Sequence, residues 1–233
     1  MHLVYINPNA TEAMTDSVVN VATKTVATNT VPQVRITGLT NTKGPAAIEG
    51  PQDGEAAISG VLELVAEAQS IGADAIVIAC FDDTGLSEAR GLATCPVLGI
   101  GHSSYTMASM LGGGFCVVTS VEAAVPVIKG NIKSSGFDEN CTLVRASGLA
   151  VLAIEQGGEH VLDHLSQAIL KAKGQSKCET VILGCAGMAM HHGVLTERTG
   201  AMLIDGVVAS THLAVAAALT LAGQETLEGD PFL

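Results

Sequence analysis

The chain has 233 residues, a formal charge of -12, 48% hydrophobic residues and only 15% charged ones, which is enough apolar material for a sizeable core and excludes wholesale disorder. Trp is absent and aromatics make up 3%, so base-stacking platforms are not expected, and the acidic balance speaks against a phosphate-binding face or an anionic membrane surface as partner. The start, Met1-His2-Leu3-Val4-Tyr5-Ile6, stops at once at Asn7-Pro8-Asn9, and no run approaches the roughly 20 apolar residues of a membrane span. A cytoplasmic protein with reduced thiols is the expectation.

Residues 3–6 read as a buried strand and 11–27 as a helix, with Asn9 and Glu12 at capping-box spacing. A strand is predicted over 34–39. Gly44-Pro45, Gly50-Pro51 and Asp53-Gly54 then punctuate a loop before a helix over 55–71. Residues 75–79 form a short β-branched run that ends at Cys80, the mark of a parallel strand buried on both faces. A strand over 95–100 and a helix over 103–111 follow. After Gly112-Gly113-Gly114 the pattern restarts: strand 115–118, helix 122–134, strand 141–145, helix 159–173, strand 180–184 ending at Cys185, strand 202–204 and helix 210–222. Strands alternate with helices throughout, so the fold class is α/β with parallel sheets.

The two halves align as a repeat. Moving Cys80 onto Cys185 carries Val97-Leu98 onto Met202-Leu203 and Gly101 onto Gly206, and the Asn7-Pro8 turn falls near Thr119-Ser120. Both copies place a cysteine at the carboxyl end of a strand, where open α/β sheets bind ligands and a following helix lowers a thiol pKa. Two such thiols facing each other across a cleft could invert a carbon stereocentre, one removing a proton and the other donating one, without metal, pyridoxal or nucleotide. Cys95, Cys116, Cys141 and Cys178 lie in or beside strand patterns and read as core, and no C-x-x-C spacing points to zinc. His160 and His164 share a helix face but lack a third ligand. His191 and His192 read as packing or surface residues, and Gly99-Ile100-Gly101 falls short of a dinucleotide fingerprint because position 104 is Ser.

Ile6-Asn7-Pro8-Asn9-Ala10-Thr11, Ala79-Cys80-Phe81-Asp82-Asp83-Thr84-Gly85-Leu86 and Leu183-Gly184-Cys185-Ala186-Gly187-Met188 resemble the aspartate/glutamate racemase superfamily, most closely its hydantoin and allantoin racemase branch. The resemblance implies two pseudo-symmetric lobes, each a parallel sheet flanked by helices, with the active site between them: residues 1–98 plus 208–233, and residues 99–207. It also implies a cofactor-independent two-base mechanism on Cys80 and Cys185, with Asn9, Phe81, Asp82, Thr119, Ser120, Gly184, Ala186 and Gly187 as substrate contacts. Backbone amides of Asp82, Ser120, Ala186 and Gly187 are the expected donors to an enolate oxygen. A homo-oligomer is expected from the family.

Amino-acid racemases of the superfamily carry Asn-Thr and Thr-His after their cysteines, where this chain has Phe81-Asp82 and Ala186-Gly187. That departure favours a small neutral cyclic substrate over aspartate or glutamate. Two competing readings remain at this point. One is an isomerase or lyase acting on a small dicarboxylate, in the manner of maleate isomerases or arylmalonate decarboxylases; the other is a non-catalytic binding or redox-sensing protein.

Overall fold

A computed structural model of the chain describes residues 1–27 and 33–228, with side chains through residue 222. Four parallel strands, β1 (His2–Asn7), β2 (Arg35–Thr40), β3 (Ala75–Ile78) and β4 (Val97–Gly99), form the first sheet in the order β2-β1-β3-β4. The second sheet, from β5 (Phe115–Thr119), β6 (Cys141–Ala146), β7 (Thr180–Gly184) and β8 (Met202–Asp205), repeats that topology as β6-β5-β7-β8, again parallel. The identical strand orders bear out the repeat seen in the sequence. In both copies a cysteine stands at the same station, just beyond β3 and just beyond β7.

The period-2 geometry of a strand explains why these sequences read as continuous apolar runs. Leu3, Tyr5, Ala75 and Val77 face inward and share one core with Phe115, Val117, Ile182 and Ile204 of the second sheet. Val4, Ile6, Ile76 and Ile78 face outward and pack with Val61 and Val65 of α2 (Pro51–Ser70). On the other side Cys116, Val118, Val181 and Leu183 pack with Leu165 and Ile169 of α7 (Glu159–Ser176). Both sheets are therefore covered on both faces.

Between the sheets lie α1 (Glu12–Ala27), α4 (Ile100–Leu111) and α9 (Gly206–Glu228), with α9 packed on both α1 and α4 and also lying against β3 and β4. The Tyr5 hydroxyl and the Thr211 hydroxyl are 2.6 Å apart, tying β1 to α9. The Tyr105 ring of α4 stacks on Phe115 and meets Phe81 edge-on at 5.7 Å. No described helix is long and apolar enough to cross a membrane. Of the expected first-lobe segment 208–233, residues 229–233 lie outside the described part of the chain.

Several boundaries differ from the sequence reading. Helix α2 begins at Pro51, because proline suits the first turn of a helix; the Asp53-Gly54 pair read as loop is helical. Helix α1 begins at Glu12, too late for Asn9 to be its cap, and the Asn9 side chain instead accepts the Thr11 amide at 2.9 Å. Four short helices have no strong periodic signal: α3 (Leu86–Leu92), α6 (Val151–Gln156), a 3-10 turn over Ala186–His191 and α8 (His192–Thr199). α5 (Ala124–Ser134) completes the set.

Gly184, the last residue of β7, lies hard against β5. A methyl group there would stand 2.9 Å from the Val118 carbonyl oxygen and 3.0 Å from the Thr119 Cα. Gly184→Ala should destabilise the protein by about 1–3 kcal/mol, the usual cost of overpacking, measured by urea unfolding. Gly130→Ala, on an open face of α5 with nothing within 4 Å of the new methyl, should be neutral or stabilising.

Candidate active site

The strand-to-helix turns after β1, β3, β5 and β7 converge on one cavity between the lobes. It encloses about 370 Å³ including its mouth, and its walls include Cys80, Phe81 and Asp82 from the β3 turn and Gly184, Cys185 and Ala186 from the β7 turn. Asn9 comes from the β1 turn, Thr119 and Ser120 from the β5 turn. Every predicted contact but one thus lines the same space. The exception is Gly187, whose α-carbon faces Glu155.

The two thiols are held alike. In each lobe the amide two residues on, that of Asp82 or of Gly187, favours the thiolate of Cys80 or Cys185. Cys80 has an extra donor, the Thr84 hydroxyl at 3.6 Å. Both thiols are pushed up, Cys185 to about 12 and Cys80 further, chiefly by burial and with a contribution from the nearby Asp82 carboxylate. The lowered thiol pKa expected from the strand-end position is therefore not found. A single amide and a short helical turn do not repay the loss of water around a thiolate.

Asp82 is the third ionisable group of the cavity. Its Oδ2 is buried and has no hydrogen-bond partner, and burial raises its carboxyl to about 7. Its carbonyl oxygen accepts from Asn131 Nδ2 at 2.7 Å, which pins the β3 turn to α5. The neighbouring Asp83 has a structural task. In a left-handed conformation (φ 51), it accepts the Gly101 and His102 amides at 3.0 and 2.7 Å and so caps α4. A side chain at Gly99 or Gly101 would collide with that carboxylate.

Asn9 is oriented from below. Its Oδ1 accepts from Asn7 Nδ2 at 3.1 Å and from the Thr11 amide, which leaves its Nδ2 facing only the Met14 sulfur at 3.4 Å. Thr119 spends its hydroxyl on the Gly184 carbonyl at 2.7 Å, locking β5 to the residue before Cys185. Ala79 and Ile48 supply apolar wall, as do Met14, Ala124 and Val151, which no motif marked. No Lys, Arg or His is among the lining residues.

Two contacts between the lobes sit beside Cys185. Glu49 Oε1 accepts the Val151 amide at 2.7 Å, so the loop before α2 caps α6 of the other lobe. Glu155 of α6 accepts the Ser17 hydroxyl of α1. Neither glutamate was singled out by sequence reading, although Glu49 lies in the Gly44–Gly50 stretch that resembles the family. The histidines are used in packing: His191 Nε2 lies 2.9 Å from the Ile154 carbonyl, His192 Nε2 3.1 Å from that of Leu203, and His164 Nε2 2.8 Å from that of Ser147. Cys116 and Cys178 are buried in the core, and Cys95 and Cys141 pack at its edge.

A parallel α/β fold with ligand-facing turns from two repeated sheets, and a thiol from each sheet in one cavity, defines a racemase-type enzyme class. Comparison with known proteins places the chain within it. Residues 3–214 match the Asp/Glu/Hydantoin racemase family, and the chain belongs to that family. It is 36% identical to the hydantoin racemase of Rhizobium meliloti over 93% of this chain and 88% of the relative, and 30% identical to that of Paenarthrobacter aurescens over 100% and 96%. Among solved structures, allantoin racemase from Klebsiella pneumoniae superposes with a TM-score of 0.88 at 31% identity, covering 95% of this chain and 89% of that one. Glutamate racemase from Bacillus anthracis, at 17% identity and a TM-score of 0.66, shares the fold. The resemblance, the fold class and the enzyme class read from the sequence are borne out by these relatives.

The Asp82 carboxyl has a consequence for stability. Between its ordinary pKa of 3.8 and the folded value of about 7, the folded protein holds a proton that the unfolded chain releases. Stability should therefore fall as pH rises through that window and level off above it. Asp82→Asn removes the cost of burying the charge, so it should be more stable than wild type by on the order of 2–4 kcal/mol near pH 8. The gain should vanish toward pH 4, as read by urea unfolding at the two pH values.

Proposed function

We propose that this protein is a cofactor-independent racemase of 5-substituted hydantoins, allantoin included, in which Cys80 and Cys185 exchange a proton with opposite faces of C5. The observation that carries the reading is the pair of thiols, one from each lobe, in a single cavity, each just beyond the end of the matching strand of its sheet. For one enantiomer, one thiolate takes the C5 proton and the other cysteine's S–H delivers its proton to the opposite face. For the mirror image the roles exchange, and the charge ends on the opposite sulfur each time. The enolate formed between the two steps keeps its negative charge on the adjacent ring carbonyl oxygen.

Raised thiols suit this chemistry. The C5 proton lies between a carbonyl and a ring nitrogen and is acidic for a C–H, yet a weak acid on the scale of ordinary side chains. A thiolate whose conjugate acid sits near 12 is a stronger base than an ordinary thiolate, so proton transfer from carbon is less uphill. The cost is a small thiolate fraction at neutral pH. Asn9 Nδ2, whose one recorded partner is a thioether, lies on the cavity wall and supports the reading as a further donor to the enolate oxygen beside the backbone amides. A small dicarboxylate, the other substrate class raised by the sequence, would meet the Asp82 carboxylate and no cationic wall residue.

Incubating one enantiomer of a 5-substituted hydantoin in deuterated water should give loss of optical rotation together with deuterium at C5. Cys80→Ser and Cys185→Ser should each reduce racemisation by at least about 100-fold, the usual scale for losing one acid–base group. Full activity in both single variants would overturn the mechanism. Because both thiols are raised, the rate at limiting substrate should climb with pH from 7 toward 9, by up to about tenfold per unit where thiolate is scarce. A flat profile over that range would contradict a thiolate base.

A further inference from the structure

A buried polar atom without a partner is costly, and it becomes favourable only when something donates to it. Asp82 Oδ2 is such an atom, and it belongs to a residue on the wall of the cavity that holds both thiols. On the same wall, Asn9 Nδ2 is a donor with only a weak thioether partner. The cavity wall thus carries a carboxylate with acceptor capacity to spare and an amide donor in need of a C=O. The complement of that pair is an uncharged –CO–NH– unit, which a ureide ring carries and a carboxylate does not. No lining Lys, Arg or His could neutralise an incoming anion.

Resting on the hydantoin reading above, we infer that Asp82 is the specificity-determining residue of this site. Its carboxylate accepts an N–H of the intact ring and repels the ring-opened carbamoyl acid, the product of hydrolysing the same ring. Hydrolysis replaces the ring N–H and carbonyl by a carboxylate and an ureido group, so a single peptide-like cleavage turns a ligand into an anion that the cavity rejects. The enzyme would then stay free of inhibition while a hydrolase consumes its product.

The test uses an achiral pair, so that binding is read apart from turnover: hydantoin itself and N-carbamoylglycine, titrated calorimetrically into wild type and Asp82→Asn near pH 8. Wild type should bind hydantoin at least tenfold more tightly than N-carbamoylglycine. In Asp82→Asn, whose amide can still pack in the same volume, the acid should tighten at least tenfold and hydantoin should weaken, bringing the ratio below three or inverting it. A wild-type ratio retained in the variant, equal weakening of both ligands, or no discrimination by wild type would each overturn the proposal. Exchange of the C5 protons of hydantoin for deuterium by the wild-type enzyme reports separately on the catalytic reading. Its absence alongside discriminating binding would remove the activity and leave the role of Asp82 standing.

Discussion

Three ionisable groups, the Cys80 and Cys185 thiols and the Asp82 carboxyl, share a cavity whose lining contains no Lys, Arg or His, and burial drives each toward its neutral form. Most features of the site follow from that desolvation. The Thr84 hydroxyl is spent on the Cys80 sulfur, where a thiolate has little else to stabilise it. The carboxyl titrates near neutrality for the same reason. Burying groups that water would otherwise solvate costs the fold stability.

The repeat makes this arrangement possible. Two sheets of the same strand order present their β3-type turns to one another, so one local solution, a strand end with a cysteine and an amide two residues on, is used twice. The copies are not identical. Cys80 has Thr84 beside it, whereas Cys185 has Glu155 and Glu49 nearby, both engaged in contacts between the lobes. The two sulfurs therefore sit in different fields although the strand order around them is the same.

The positions of the strands and the long helices were legible because periodicity is a local property. Val77 and Ile78 read as buried on both faces, and Val161, Leu165 and Ile169 as one helix face, from spacing alone. The short helices α3, α6 and α8 were not legible, since seven or so residues hold too few turns for a pattern, and their order comes from caps and packing. The same limit hid Glu155, a lone acid in a short helix whose partner Ser17 lies on α1 of the other lobe.

What the sequence alone determined was the fold class, the twofold repeat and the pair of cysteine stations, because strand-end position and internal similarity are written along the chain. The tertiary structure decided the electrostatics. That the helix dipole loses to desolvation and that Asp82 Oδ2 is left without a partner are outcomes of how deeply the turns pack between two lobes. Burial depends on residues distant in sequence, and no local pattern encodes it.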